Sequence, residues 1–281
     1  MKIKSVIVCG AGTMGSGIAQ ACAQSGFHTI LYDLDPSMLD RAKGNLSSSM
    51  DALEASGKIS KGEGKRILGF ILFTNELYDC IGDLIIEAVI EKTAVKIALF
   101  NQLAEINHSD TIFATNTSSL SVSDIAAGVQ HSERVCGLHF FNPAPRMKLV
   151  EVVKTDCTKS EVIEQVSDFA LALGKTPVIC KDSPGFIVNR VARHFYLESL
   201  RLVEQGICSV EGADRLLESA GFRMGPFRLM DLIGNDINHS VTRSLYEAFG
   251  RPERFKPSPI QEEKVQKGEL GRKSGKGFYE Y

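Results

Sequence analysis

The stretch Val6-Ile7-Val8-Cys9-Gly10-Ala11-Gly12-Thr13-Met14-Gly15, near the start of the chain, decides how its first part should fold. Residues 3–9 form a short apolar run that is typical of a buried parallel strand. Three glycines follow in the order G-x-G-x-x-G, and the next apolar stretch predicts a helix that ends at Gly26. A second strand at 28–32 completes a predicted β-α-β unit.

Each residue of the glycine motif has a physical reason to be there. Gly10 allows a tight turn off the strand, and Gly12 lets the backbone approach a pyrophosphate without an intervening side chain. Gly15 lets the helix pack close to the strand. Thr13 and Met14 lie at the predicted helix N-terminus, where free N–H groups and a partial positive charge favour phosphates. These five residues are therefore predicted to contact a dinucleotide.

The acidic residue after the second strand indicates which dinucleotide. Asp33 lies eighteen positions after Gly15, where a carboxylate can accept hydrogen bonds from the adenine-ribose hydroxyls. It would repel an added 2′-phosphate, Asp35 adds to that repulsion, and the first basic residue is Arg41. The pattern predicts NAD rather than NADP. The alternative, a glycine-rich turn with a helix-capping aspartate, is disfavoured by the strand-turn-helix context.

The rest of the first part alternates strands and helices. Helical patterns at 36–55 and 60–67 form a helical pair inserted at about 36–68, before a strand at 70–73. Further strands are predicted at 84–87, 111–115, 135–138, 149–153 and 178–180, with helices at 93–106 and 161–173. This alternation predicts an α/β fold with a Rossmann-type, doubly wound, mostly parallel sheet.

The pattern changes at Ser183-Pro184-Gly185, where a helix-start signal begins a segment without convincing strands. Helices are predicted at 186–204, 210–219, 226–235, 239–249 and 260–267. We therefore predict a Rossmann domain at 1–183 and an all-helical substrate and dimerisation domain at 184–281. Its apolar helices are numerous for so small a core, which predicts a homodimer through this domain. The active site is expected in a cleft between the domains.

Composition limits the function classes. The net charge of −2 argues against a general attraction to nucleic acid or an anionic membrane. No apolar run reaches the ~18 residues of a membrane span, and the N-terminus lacks signal-peptide features, so a cytoplasmic location is expected. The seven cysteines are odd in number and widely spaced, which predicts neither a disulfide framework nor a metal site.

One histidine stands out among the six. His139 follows the predicted strand at 135–138 and precedes Pro143 and Pro145, which predict an extended, stiff loop. Ligands bind at strand ends in such sheets, and oxidation of an alcohol needs a base with a pKa near 7. Glu151, a carboxylate in the apolar return strand, could pair with this ring and fix its tautomer. A satisfied core histidine and an edge-strand charge remain the alternatives.

The segment His139-Phe-Phe-Asn-Pro-Ala-Pro-Arg-Met-Lys-Leu-Val-Glu-Val152 resembles the signature of the short-chain 3-hydroxyacyl-CoA dehydrogenase family. Within this family, the bacterial 3-hydroxybutyryl-CoA dehydrogenases are the most similar in chain length and in the residues of these motifs. The resemblance covers nearly the whole chain, and its other segments are 10–15, 116–121, 184–190, 224–227 and 271–279.

The resemblance implies the roles of four residues. His139 matches the catalytic histidine and Glu151 its partner carboxylate. Ser118 matches a serine that contacts the 3-oxygen of the substrate and the nicotinamide, and Asn189 an asparagine near the reacting carbonyl. Both could donate hydrogen bonds where alkoxide charge develops. A turn or helix cap for Ser118, and a solvated face in mid-helix for Asn189, remain the alternatives.

The resemblance also implies further ligand contacts. Additional cofactor residues would be Glu91, Lys96, Asn116, Asn142 and Lys273. The inserted helical pair resembles a CoA-binding arm with Ser49 and Lys58 in reach of the ligand, although a solvated helix face explains these two equally well. Arg146 departs from the family, which usually has an apolar residue there. A surface charge and a contact to a polar substrate tail both remain open.

The implied reaction is NAD-dependent oxidation of an (S)-3-hydroxyacyl-CoA to the 3-ketoacyl-CoA, and its reverse. A four-carbon substrate is the default. A 3-hydroxyadipyl-CoA dehydrogenase is the rival, because 190–198 also resembles those proteins. A non-enzymatic NAD-binding relative is the second alternative. Other dehydrogenases of this fold, acting on β-hydroxyacids or sugars, use a lysine or cysteine base, so the His139–Glu151 segment disfavours them.

Overall fold

The computed structural model describes residues 3–281. Within them, one sheet has the strand order β3-β2-β1-β4-β5-β6-β7-β8. The strands are β1 Ser5–Cys9, β2 His28–Tyr32, β3 Ile71–Thr74, β4 Leu84–Glu87, β5 Ile112–Thr115, β6 Val135–Phe140, β7 Leu149–Lys154 and β8 Thr176–Lys181. All neighbouring pairs are parallel except β6 and β7, which are antiparallel. The predicted Rossmann-type, mostly parallel sheet is confirmed.

The chain divides into two compact units, of which the first ends at Asp182 and the second begins at Ser183. The helices of the first unit are α1 Thr13–Gln24, α2 Pro36–Ala55, α3 Glu63–Leu68, α4 Thr93–Ile106, α5 Val122–Ala127 and α6 Ser160–Ala172. Those of the second unit are α7 Val188–Glu204, α8 Val210–Ser219, α9 Pro226–Ile233, α10 Asn235–Ala248 and α11 Pro259–Gln266. Only isolated β-bridges in its last residues interrupt the helical pattern of this unit. In the described residues, no helix has the length and apolar character that a membrane span requires.

Alternation along the strands builds a core on each face of the sheet. In β1, Val6 and Val8 pack into one apolar cluster, which also contains buried residues of α1, α2 and α6. Ile7 and Cys9 point the other way and pack with residues of α4 and α5. Because side chains alternate between faces, a strand covered on both sides must be apolar throughout.

The glycine turn is closed by contacts that a side chain would prevent. Gly10 has φ +102°, and its N–H donates to the carbonyl of Tyr32 at 2.7 Å. A Cβ at Gly15 would lie 1.7 Å from the carbonyl oxygen of Gly10. The first turn of α1 can therefore approach the end of β1 only with glycine at both positions.

The inserted helical pair, α2 and α3, lies between β2 and β3. The Asp35 carboxylate caps α2 by accepting from the Ser37 N–H at 2.9 Å. One face of α2 is buried, and a Cβ on Gly64 of α3 would lie 2.7 Å from the Cβ of Met50. The pair is thus closely packed along one side and leaves the polar side of α2 outward.

Candidate active site

The antiparallel pair β6 and β7 brings the predicted histidine and carboxylate together. His139 lies opposite Glu151 in the register, so both side chains project from the same face. His139 Nδ1 lies 2.7 Å from Glu151 Oε2, and the two residues are 6% and 1% exposed. With Nδ1 protonated, the ring donates to the carboxylate, and Nε2 carries the lone pair of the neutral imidazole.

The structure corrects two details of this region. Strand β6 continues to Phe140, so His139 lies inside the strand, whereas the sequence predicted a position just past its end. The following loop is a turn and is not extended: the N–H groups of Arg146 and Met147 both donate to the Pro143 carbonyl at 3.0 Å. The Asn142–Pro143 peptide within it is cis.

A buried lysine explains why the loop curls. The ammonium of Lys175 donates to the carbonyls of Ala144 at 2.6 Å, Pro145 at 3.3 Å and Met147 at 2.9 Å. An extended loop would not direct three carbonyls at one point. Lys175 is 7% exposed, and this burial lowers its pKa. We call this arrangement the Lys175 clamp.

The segment that carries Ser118 is held by one carboxylate. Glu91 accepts hydrogen bonds from the Thr117 hydroxyl, from the Ser118 N–H at 3.2 Å and from the Ser119 hydroxyl at 3.2 Å. Burial would raise the pKa of Glu91, but the Lys96 charge and these hydrogen bonds hold its pKa below the usual value. Glu91 therefore fixes the backbone at Ser118 while remaining ionised.

Beneath this segment lies a buried ion pair that sequence reasoning missed. Lys96 Nζ lies 2.6 Å from Glu87 Oε1 and 3.1 Å from Glu91 Oε2, and Lys96 is only 1% exposed. Glu87 also accepts from the Thr115 hydroxyl at 2.8 Å. Burial raises the pKa of Glu87 although Lys96 opposes this shift. A carboxylate ending the apolar strand β4 was the one signal that could have revealed it.

Two predicted asparagines lie at neighbouring strand ends. Asn116 Oδ1 accepts from the Phe140 N–H at 2.8 Å, which ties the segment after β5 to the end of β6. Asn142 begins the loop after β6 and lines a cavity described below. The structure thus gives Asn116 a positioning contact and leaves Asn142 exposed.

A cavity of about 650 Å³ lies beyond the ends of β1, β2 and β4. It is lined by Gly10, Gly12, Asp33 and mainly apolar side chains, including Leu34 and Ile90. The Asp33 carboxylate is oriented by the N–H of Ala11 at 2.7 Å. A largely apolar cavity with one fixed carboxylate suits a nucleoside, with the base against the apolar wall and the ribose at the acid.

A second cavity, of about 760 Å³, we call the arm groove. Its floor is α1 with Ala11 and Gly12 of the glycine turn, one wall is α2 with Lys58, and the other wall is the loop after β6. Of the predicted CoA contacts, Ser49 and Lys58 both line it. Ser49 donates to the Gln20 side chain at 3.3 Å.

The remaining predicted residues belong to the second unit. Asn189 lies in the first turn of α7 and not in mid-helix, because Gly185 and Phe186 have φ of +71° and +48° and delay the start of the helix to Val188. Lys273 forms an ion pair with Asp236 at 2.6 Å within the same unit. Its predicted contact with the cofactor stays a prediction.

The tail of the second unit is anchored by a further carboxylate that the sequence did not reveal. Asp231, 1% exposed, accepts from the N–H groups of Phe278 and Tyr279, both at 2.9 Å. It also accepts from the Asn235 side chain at 2.8 Å. The last residues are therefore fixed against α9.

Comparison with known proteins places the chain among characterised families. Residues 5–183 match the model for the NAD-binding domain of 3-hydroxyacyl-CoA dehydrogenase, and 185–281 match the model for its C-terminal domain. The chain is 45% identical to a 3-hydroxyadipyl-CoA dehydrogenase of Escherichia coli over its full length, which is 60% of that relative. It is 39% identical to a probable 3-hydroxybutyryl-CoA dehydrogenase of Deinococcus radiodurans, covering 98% of this chain and 99% of the relative.

A solved structure is similar throughout. The crystal structure of a 3-hydroxybutyryl-CoA dehydrogenase from Escherichia coli superposes with a TM-score of 0.97 at 45% identity, covering all of this chain and 60% of that one. The first family model ends at residue 183 and the second begins at 185, which is within a few residues of the boundary between the two units of the fold. The chain therefore belongs to the 3-hydroxyacyl-CoA dehydrogenase family of NAD-dependent oxidoreductases.

Proposed function

We propose that this chain oxidises (S)-3-hydroxyacyl-CoA to 3-ketoacyl-CoA with NAD and catalyses the reverse reduction, with 3-hydroxybutyryl-CoA and acetoacetyl-CoA as the first candidates. The observation that carries the proposal is the buried contact of 2.7 Å between His139 and Glu151. Bound NAD supplies the hydride acceptor. His139 Nε2 takes the proton of the 3-hydroxyl group during oxidation, and in reduction the ring returns it to the 3-oxygen.

The carboxylate makes the histidine suitable for both directions. Glu151 holds the ring by Nδ1, so that Nε2 presents its lone pair, and it stabilises the imidazolium that forms. Ser118 and Asn189 are proposed to donate hydrogen bonds to the 3-oxygen as negative charge develops there. The hold of Glu91 on the Ser118 N–H supports this role, because a fixed donor needs no reorganisation during the reaction.

The proposed cofactor site begins at the glycine turn. Gly10, Gly12, Thr13, Met14 and Gly15 would surround the pyrophosphate at the start of α1, and the Asp33 carboxylate would accept from the adenine-ribose hydroxyls. Of the other predicted contacts, Glu91, Asn116, Asn142 and Lys273 remain proposed cofactor residues. For Lys96 we propose a positioning role, since its ammonium is engaged by Glu87 and Glu91.

The second candidate is a preference for the dicarboxylic substrate 3-hydroxyadipyl-CoA, which the name of the 45% identical relative favours. A non-enzymatic NAD-binding role is the third. The buried His139–Glu151 pair argues against it, because a structural protein has no need of a buried proton acceptor.

Substrate comparison tests the proposal. We expect the purified chain to oxidise NADH with acetoacetyl-CoA and to use NADPH far less well, because Asp33 repels the 2′-phosphate. Rates with 3-hydroxybutyryl-CoA and 3-hydroxyadipyl-CoA at equal concentrations then rank the acyl groups. A tenfold preference for the dicarboxylic substrate would favour the second candidate. NADH binding without turnover of any acyl-CoA would favour the third.

We also propose that the chain forms a homodimer through its second unit. That unit exposes large apolar side chains, with Val191 66%, Leu216 70% and Ile237 51% exposed. Covering such surfaces stabilises an assembly. Light scattering at working concentration should give twice the chain mass of 30.7 kDa. A monomer mass would contradict the proposal.

A further inference from the structure

The charged side chains that line the arm groove are all cationic. None of the side chains that line it is acidic, whereas three are cationic: Arg41 on α2, Lys58 after α2, and Arg146 on the loop after β6. The remaining polar lining consists of uncharged groups such as Ser49 and Asn142. A groove with this lining attracts an anion.

These cations have no carboxylate partner within the part of the chain that the structure describes, since no ion pair there joins Arg41, Lys58 or Arg146 to an acid. Of the other bases in the inserted helical pair, Lys43 is paired with Asp40 at 3.5 Å and Arg66 with Glu63 at 3.3 Å, whereas Lys61 and Lys65 have no ion pair among the described residues but do not line the groove. The pKa of Asp35 is lowered first by hydrogen bonds from Ser37, and the charge of Arg41 lowers it further without forming an ion pair.

The loop that carries Arg146 is fixed by hydrogen bonds and by packing. The Lys175 clamp binds the carbonyls on both sides of it, at Pro145 and Met147. The loop also lies against α1, where a Cβ on Gly17 would be 3.3 Å from the Cβ of Ala144. An arginine on a fixed loop loses less conformational freedom when it binds a ligand, so more of the contact energy appears as affinity.

We propose that Arg146 binds a phosphate group of the CoA moiety, with Arg41 and Lys58 completing an anion site in the arm groove. The inference rests on the proposed acyl-CoA substrate. CoA carries a diphosphate and a 3′-phosphomonoester, and the planar guanidinium donates to phosphate oxygens in pairs. Neither His139 nor Ser118 lines this groove, which places Arg146 with the arm and not beside the reacting carbon. A phosphate is therefore favoured over an acyl carboxylate.

The test separates the nucleotide end of the substrate from its acyl end. Arg146→Met keeps an unbranched side chain and removes the charge. We expect KM for acetoacetyl-CoA to rise about tenfold, as for loss of one hydrogen bond to a charged group, with kcat retained. The phosphate-free thioester acetoacetyl-N-acetylcysteamine should react equally well with both forms. Calorimetry should show the same loss of affinity for free CoA and none for pantetheine.

Two variants control the measurement. Arg146→Lys, which keeps the charge but loses paired donation, should recover part of the affinity. Arg66→Met removes an exposed arginine of the same helical pair outside the groove and should leave KM unchanged.

Four results would overturn the inference: unchanged affinity for CoA, an equal loss with both thioesters, a loss confined to 3-hydroxyadipyl-CoA, or weakened NADH binding. The last two would assign Arg146 to an acyl carboxylate and to the dinucleotide, respectively. Inactivity of the unmodified chain with both thioesters would instead refute the proposed function, and binding of free CoA would still decide the role of Arg146.

Discussion

Replacing His139 with alanine is expected to lower kcat for acetoacetyl-CoA reduction by about 10²–10⁴-fold, the usual contribution of a general acid–base group. The affinity for NADH should change little, because the ring adjoins Glu151 and Phe141 and does not line the cavity at Asp33. Steady-state rates and fluorescence titration with NADH measure the two quantities separately.

The chain offers a matched control for this substitution. His131 Nδ1 lies 3.6 Å from Glu133 Oε1, so it also faces a carboxylate, but the pair is at the surface with side chains 48% and 36% exposed. His131→Ala should leave kcat unchanged. Near-normal turnover in the His139→Ala variant would remove the proposed base. Glu151→Gln, which keeps the size of the side chain but can favour the wrong tautomer, should lower kcat in the same direction.

Replacing Lys96 with methionine is expected to destabilise the fold by about 3–5 kcal/mol, the usual cost of breaking a buried pair by removing one partner. The substitution leaves the Glu87 carboxylate buried with only the Thr115 hydroxyl and the Val89 N–H as donors. Glu91 would lose its counterion as well, so the segment with Ser118 should loosen. Urea unfolding gives the stability change, and kcat with acetoacetyl-CoA reports on the segment.

A double variant distinguishes a lost ion pair from lost packing. Glu87→Gln combined with Lys96→Met removes both charges, and it should recover much of the stability that Lys96→Met alone loses. Lys92→Met, at an exposed position four residues earlier, should change stability by less than about 0.5 kcal/mol. If Lys96→Met changes the stability as little as this control does, the ion pair of Lys96 does not stabilise the segment that carries Ser118.

The features that could be predicted from sequence are those fixed by neighbouring residues. The turn from β1 to α1 follows from Gly10 and Gly15, because the steric demand lies within six residues. The pairing of His139 with Glu151 was also foreseen, since a short return between two strands brings them side by side. Their burial and register could not be derived, because they depend on the whole sheet.

The errors arise where distant residues decide the local shape. The loop after β6 curls because Lys175, 28 to 31 positions away, donates hydrogen bonds to its carbonyls. Nothing in the sequence of the loop itself indicates this contact. The ion pair of Glu87 and Lys96 joins a strand to the next helix, and its burial depends on the segment that Glu91 holds above it. Helix α7 begins later than predicted because the backbone is left-handed at Phe186, which periodicity does not detect.

In the Lys175 clamp, the ammonium binds the loop only through backbone carbonyl oxygens. Every amino acid carries such an oxygen, so the shape of the loop does not depend on the side chain at position 146. A single substitution can therefore change the side chain that lines the arm groove at this position while the strand that bears His139 stays as it is. With the roles proposed for Arg146 and His139, ligand preference and acid–base chemistry can change independently of each other.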